Sequence, residues 1–247
     1  MNIYKWRNNF TSVYRNQDEV VRGKLAFKTK ETNWLQTEMP VIVLVSIHSS
    51  FNDGVGGDLK MDAFLSTIKG QVKGKITVLL SDMAHLRINS LNHQKDLQKT
   101  FECCVEDARL LGHRYQSYFE GCDVVYWHSY ISRDPQFPLY LDFLKKVYEK
   151  NQVFQAHVNS DVKTTYTEER RNKYSEEALY FEKGIEDIFE QCACVMVLAN
   201  KGYRFQFYPG SPNTSVEYVN RTFISEDKRI CWINVFLAIE KKAFSFV

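Results

Sequence analysis

Residues Val41-Ile-Val-Leu-Val45 form an unbroken aliphatic run, and Ser46 closes it. Such a run, mostly β-branched, reads as a strand buried on both faces inside a parallel sheet. Lys75–Leu80 (Lys-Ile-Thr-Val-Leu-Leu) repeats the pattern, and Leu59–Lys69 between them has helical spacing. Strand, helix, strand in that order implies a right-handed crossover between parallel strands. The chain is therefore expected to be α/β, a parallel sheet flanked by helices. In open sheets of this kind chemistry gathers at the carboxyl ends of the strands, which is where Ser46 stands.

The rest of the chain supplies more such units. A long helix is expected over about 92–120, where Leu97, Phe101, Cys104, Ala108, Leu111 and Tyr115 form one apolar stripe. Asp123–Trp127 reads as a third strand. Pro135 and Pro138 bracket the turn into a helix over 139–154, and another long helix is expected over 174–199. Gly202 offers a left-handed cap just beyond it. Tyr203–Tyr208 alternates aromatic residues with Arg and Gln, a strand signal, and the turn Pro209-Gly-Ser-Pro212 stops it. Arg229–Ile239 fits a strand or a helix, and periodicity does not choose. No repeat or linker interrupts the 247 residues, so a single domain over 1–247 is expected.

Composition narrows the function classes. The chain is 44% hydrophobic and 25% charged, with a net charge of only +2. A polyanionic partner must then meet a local patch rather than the field of the whole protein. The longest apolar stretches, Val41–Ile47 and Ala193–Ala199, are too short to span a bilayer, and Met1–Tyr14 has no signal-peptide core. The six cysteines lack the pair spacing of a zinc site and read as reduced thiols. A cytoplasmic monomer with no membrane contact, no metal and no cofactor is expected.

Several residues carry candidate chemistry. The Ser46 hydroxyl is a nucleophile only if a base or a preorganised site activates it, and the turn after it offers backbone N–H donors. The glycine-flanked serine elbow of the α/β-hydrolases is absent, because Leu44 and His48 occupy the glycine positions. His48 is a possible helper base. On the helix after residue 174, Glu186, Asp187 and Glu190 interrupt an apolar segment; acids on a helix are ordinarily solvated, but one at the edge of a burying segment is a candidate base. Tyr208 closes its strand and is able to donate or accept at a reacting centre. Ile42, Leu44, Cys194 and Gln206 are candidate pocket liners. Lys95, Lys99 and Arg109 share a face of the long helix, with Arg114 near its end, although Glu102 and Glu106 share that face too. Arg170, Arg171 and Lys173 form a smaller basic cluster.

Together these pieces resemble a cyclodipeptide synthase: a buried strand ending in Ser, a crossover, a long helix with basic residues, a late helix with a polar site, and a strand ending Tyr208-Pro209. The resemblance covers roughly residues 38–215 in element order and implies a Rossmann-like fold related to the catalytic domain of class I aminoacyl-tRNA synthetases. It resembles the branch of that family with a variable residue, here Ser49, three places after the Ser, and a late Tyr-Pro. The family usually has Gly where Leu44 stands, so Leu44 implies a smaller or differently shaped first pocket. Relatives also place a Tyr and, four residues on, a Glu on the late helix. An ungapped match puts Asp187 and Gln191 there, and a one-residue shift puts Glu190 at the second place, which the following apolar pattern favours.

The resemblance implies that two aminoacyl-tRNAs are joined by a ping-pong route, through an aminoacyl-enzyme and a dipeptidyl-enzyme on Ser46. Glu190 would orient or deprotonate the attacking amine, Tyr208 would relay a proton, and His48 would assist. Ser49, Asp187, Gln191 and Pro209 would join Ile42, Leu44, Cys194 and Gln206 around the substrate. The tRNA would lie across the helix bearing Lys95, Lys99, Arg109 and Arg114, held through its phosphates. Two rival readings are a serine hydrolase or acyltransferase using Ser46, and a non-enzymatic RNA-binding α/β module. Gly54-Val-Gly56-Gly57 has the wrong spacing for a phosphate loop.

Overall fold

The strand ending in Ser46 is central to the sheet. The computed structural model describes residues 5–6, 11–15, 19–27, 38–46, 57–165, 177–208 and 212–241. Its strands are β1 (Lys5–Trp6), β2 (Thr11–Arg15), β3 (Glu19–Phe27), β4 (Val41–Ser46), β5 (Ile76–Ser81), β6 (Asp123–Tyr126), β7 (Phe205–Tyr208) and β8 (Cys231–Lys241). They run in the order β1-β3-β8-β7-β4-β5-β6, with β2 also pairing β3. β8, β7, β4, β5 and β6 are mutually parallel, and β3 lies antiparallel to β8. The chain thus leaves β4 in one direction through β5 and β6, then returns to the other side through β7 and β8. The strand order reverses between β4 and β7, which makes that gap the switch point of the sheet.

The helices are α1 (Gly57–Lys69), α2 (Leu86–His93), α3 (Leu97–Arg114), α4 (Trp127–Tyr130), α5 (Phe137–Lys150), α6 (Gln152–Thr165), α7 (Glu177–Asn200) and α8 (Thr214–Thr222). The two-residue period of each strand sorts its side chains to two cores. Val41, Val43 and Val45 of β4, Val78 and Leu80 of β5, and Phe205 and Phe207 of β7 pack with Phe64, Leu65 and Ile68 of α1 and Cys104, Ala108 and Leu111 of α3. Ile42, Leu79 and Trp232 point the opposite way and pack with α4 to α8. At the middle of that second layer α7 is buried from Ile188 to Ala199 except for the half-buried Gln191. It approaches α6 closely at Gly184, where a Cβ would stand 2.7 Å from Val162 Cγ1.

Several element boundaries differ from the sequence expectation. The helix expected over 92–120 is two: Gln94 turns left-handed at φ 52°, and the Asp96 side chain accepts from the Lys99 N–H at 2.8 Å to start α3 anew. Lys95 therefore precedes α3 instead of lying on it. The helix expected over 139–154 is also split, because Asn151 Oδ1 accepts from the Phe154 N–H at 3.0 Å and opens α6. Trp127 begins α4 rather than ending β6. Tyr203 belongs to the end of α7, its N–H bonded to the Leu198 carbonyl, with Gly202 at φ 93° as the cap residue. Cys231–Lys241 settles the ambiguous last segment as a strand. Among the described residues no helix is long and apolar enough to cross a membrane.

Candidate active site

Leu44 and Ser46 of β4, Gln206 and Tyr208 of β7, Ser81 of β5 and Trp232 of β8 all line one cavity of about 200 Å³. Their common face follows from register. Ile42 pairs with Gln206, Gln206 with Trp232, and Ser46 with Ser81, so alternate residues of adjacent strands present to the same layer. Ser46 and Tyr208 close strands on either side of the switch point, so the cavity opens where the sheet geometry leaves a crevice.

Three helical segments complete the walls. Ala84 and His85 come from the turn before α2, Gln191 and Cys194 from α7, and Asn213 and Val216 from the start of α8. A short chain of hydrogen bonds braces them: Asn213 Nδ2 donates to Gln191 Oε1 at 2.8 Å, and Gln191 Nε2 donates to the Ala84 carbonyl at 3.1 Å.

Two buried acids hold the short helices that carry these walls. Asp161 of α6 accepts from the N–H and hydroxyl of Thr214 (3.1 and 3.0 Å) and of Ser215 (2.8 and 2.5 Å), satisfying orphan donors at the start of α8. Asp187 of α7 does the same for α2, accepting from the N–H groups of Ile88 at 3.1 Å and Arg87 at 3.3 Å. His85, the residue before α2, makes no side-chain cap of its own.

Arg87 gathers three carboxylates: Glu186 at 2.7 Å, Glu190 Oε1 at 2.8 Å and Asp187 at 3.4 Å. Lys183 stands 3.5 Å from the half-buried Glu186 as well, so Asp187 and Glu190 are the buried carboxylates of the group. Burial pushes Asp187 up to about 7, and it raises Glu190 as well against the pull of Arg87.

These contacts correct three expectations. Glu190 does not face the cavity; one residue's rotation on α7 turns it to Arg87 and brings Gln191 to the cavity instead. Asp187 is 1% exposed and engaged with the start of α2, so it is not a substrate contact. Ile42 has the right parity but lies fully buried in the core below the cavity. Leu44, Ser46, Gln191, Cys194, Gln206 and Tyr208 are brought together. His48, Ser49 and Pro209 lie outside the described residues, as do Arg170, Arg171 and Lys173.

The basic residues are exposed. Arg109 is clasped by Glu106 through bonds of 2.9 and 2.7 Å, and Arg114 lies over the Tyr115 ring at 5.2 Å. Lys95 Nζ stands 3.8 Å from Cys103 Sγ, and Lys99 is in the first turn of α3.

Sequence reasoning missed Ser81, His85, Trp127, Asn213 and Trp232, all of which line the cavity. The signal for Ser81 and His85 was present, since both follow or close the second apolar strand. Trp232 required the register of β8. Burial raises the Cys194 thiol well above its usual range, which leaves it protonated and weakly nucleophilic. Burial raises the Tyr208 phenol too, keeping its proton available. Among the described residues no group of His, Cys, Asp or Glu is placed to hold a metal ion.

A five-stranded parallel sheet flanked by helices, with a crevice at its switch point, defines a Rossmann-like α/β protein. Solved structures give that architecture closer company. A cyclodipeptide synthase from Fluoribacter dumoffii superposes with a TM-score of 0.76 over 88% of this chain and 99% of its own, at 14% identity. A cyclodipeptide synthase from Candidatus Glomeribacter gigasporarum, bound to Phe-tRNAPhe, gives 0.64 over 87% and 94%, at 17% identity. A Mycobacterium tuberculosis protein, whose structure is described as relating cyclodipeptide synthetases to type I tRNA synthetases, gives 0.58 over 93% and 98%, at 10% identity. The chain has the fold of these proteins. No protein-family profile matches it, and no curated protein does.

Proposed function

We propose that the chain is a tRNA-dependent cyclodipeptide synthase that works through an acyl-enzyme on Ser46. The meeting of Ser46 and Tyr208 in one cavity, at the switch point of a fold shared with such enzymes, carries this reading. Ser46 Oγ attacks the ester carbon of a first aminoacyl-tRNA. The new Oγ–C bond replaces the bond to the terminal ribose oxygen, which takes a proton and leaves with the tRNA. The amine of the aminoacyl-enzyme then attacks the ester of a second aminoacyl-tRNA, releasing that tRNA and leaving a dipeptidyl-enzyme. Attack of the terminal amine on the Ser46 ester closes the ring and returns the proton to Oγ. Each ester arrives activated, so the sequence of steps consumes no nucleotide.

Tyr208, its phenol held protonated, hands a proton to the departing oxygen. Gln191 takes the helix position facing the substrate that the sequence assigned to Glu190. A carboxamide accepts no proton, so Gln191 orients the amine or carbonyl, and His85, the imidazole lining the cavity among the described residues, serves proton transfer. With Ser49 and Tyr208-Pro209 in sequence, the chain fits the variable-Tyr-Pro branch. The enzyme acts as a cytoplasmic monomer, its tRNA resting on Lys95, Lys99, Arg109 and Arg114.

The serine-hydrolase reading needs an Asp-oriented histidine beside Ser46. His128 is bonded to the buried Asp82 and packed on Phe101 of α3, but it does not line the cavity. The test is incubation with two radiolabelled aminoacyl-tRNAs and chromatography of the neutral products. A cyclic dipeptide that disappears in Ser46→Ala supports the synthase; unchanged product in that variant rejects Ser46 as nucleophile. Hydrolysis of simple esters with no tRNA dependence would favour the hydrolase.

A further inference from the structure

A second, smaller cavity of about 130 Å³ is lined by Arg87, Ser90 and Leu91 of α2, Leu97 of α3, and Lys183 and Glu186 of α7. It lies on the same seam between α2 and α7 as the active-site cavity. Gln191 ties α7 to the Ala84 carbonyl at the active-site wall, and Glu186 ties it to Arg87 further along. α7 ends just before β7 begins, so its earlier residues stand toward the carboxyl end of the sheet, outward from Gln191. At about 1.5 Å per residue, Glu186 and Lys183 lie about 7 and 12 Å beyond Gln191 along the helix. On the other side, Ser90 Oγ donates to the Lys95 carbonyl at 2.7 Å, and Leu97 opens α3, the helix that carries Lys99. The small cavity therefore stands between the Ser46 cavity and the basic residues assigned to the tRNA.

Its lining excludes most ligands. Arg87 gives Nε to Glu186 and Nη1 to Glu190 and Asp187, which leaves Nη2 bonded to no described residue. Lys183 is shared by Glu182 and Glu186. Even with Asp187 and Glu190 protonated, the carboxylates of Glu182 and Glu186 offset the two cations. A phosphate or a carboxylate thus meets no net positive charge, and a cation meets Arg87 and Lys183 at the opening. A neutral group remains, one that accepts from Arg87 Nη2 and donates to the half-exposed Glu186 carboxylate. Leu91 and Leu97, the latter 46% exposed, offer apolar surface to a flat ring. The volume is that of about four waters at about 30 Å³ each, room for one ring but not for the sugar and phosphate that carry it. A neutral ring with donors and acceptors on its edge and apolar faces is a nucleobase.

Building on the reading of the chain as a synthase, we infer that this small cavity seats the unpaired base next to the terminal adenosine of the aminoacyl-tRNA. With the terminal ribose held at Ser46, the preceding nucleotide lies outward along the seam of α2 and α7, and the acceptor stem continues over α3. That base is cytosine in tRNA. Its N3 and O2 accept from Arg87 Nη2, and its N4 amino group donates to Glu186. Proteins read single-stranded RNA ends in this way, with bases splayed out and bonded along their edges. Seating the base holds the ester in place over Ser46.

The test is filter binding of two tRNAs to the full-length protein, one intact and one with an abasic ribose next to the terminal adenosine. The abasic tRNA is expected to bind about tenfold more weakly. In Glu186→Ala and in Leu97→Ser, each checked for folding by circular dichroism, that difference is expected to shrink to about twofold or less, because the base has already lost its partner. A purely structural role for these side chains would weaken both tRNAs alike and leave their ratio as in the wild type, and that result in both variants would overturn the assignment to this cavity. Equal binding of the two tRNAs by the wild-type protein would overturn the inference and leave the synthase reading standing. Failure of the intact tRNA to bind would count against the synthase reading itself, and the inference would fall with it.

Discussion

At the residue scale, adjacent positions on α7 meet different surroundings. Glu190 and Gln191 differ by one step of about 100° around the helix, enough to send one to Arg87 and the other to the cavity. Which of them faces the cavity was not legible in the sequence, because the deciding partner, Arg87, is distant in the chain. The pairings of Leu44 with Ser46 and of Gln206 with Tyr208 were legible, since a strand's two-residue period needs no tertiary information. Two predictions belong here. Tyr208→Phe keeps the ring and removes the proton, and is expected to slow cyclic dipeptide formation about a hundredfold with the melting temperature little changed, measured by product assay and thermal unfolding. Asp187→Asn tests the buried carboxyl. With a folded value near 7 and an ordinary value of 3.8, the folded state keeps a proton that the unfolded state has released. Wild-type stability is therefore expected to fall as pH rises from about 4 to about 7, and the variant to lose that part of the slope, measured by urea unfolding across that range.

At the element scale, the cavity walls depend on two short helices whose starts are capped from other helices. Asp161 and Asp187 stand in for local caps, and that arrangement explains how a short segment such as α8 is fixed in place without a side-chain cap from Asn213. Asp161→Ala strands several donors at once and is expected to destabilise the fold by about 2–3 kcal/mol. Denaturant unfolding would measure the loss, and activity would drop as Asn213 leaves Gln191. Gly184→Ala drives a Cβ against the stiff Val162 side chain, and the strain is expected to outweigh the helix-propensity gain, for a net loss of about 1–2 kcal/mol in the same measurement. The strands of the parallel sheet were readable because β4 and β5 are almost wholly apolar. The breaks at Asp96 and Asn151 were not, because a single Asp or Asn fits a solvated helix position as well as a cap. The antiparallel strands β2 and β3 were also missed: Arg22, Gly23 and Lys24 interrupt the apolar pattern of β3, which owes its place to pairing with β8 over nine register positions.

At the scale of the whole molecule, a net charge of +2 means that the tRNA binding we propose rests on local cations. Arg109 is already clasped by Glu106, whereas Lys99 makes no ion pair among the described residues. Lys99→Ala is expected to weaken aminoacyl-tRNA binding and lower the salt-dependence slope by about one, measured by filter binding over a salt series, with Arg109→Ala having the smaller effect. Binding alone would be shared by an RNA-binding module, so the decisive observation is covalent. Intact-mass spectrometry of the protein, quenched with acid within seconds of mixing with a single aminoacyl-tRNA, is predicted to show an added aminoacyl mass that maps to the peptide containing Ser46 and is absent in Ser46→Ala. An aminoacyl mass on any other residue, or cyclic product formed by the Ser46→Ala protein at the wild-type rate, would contradict it.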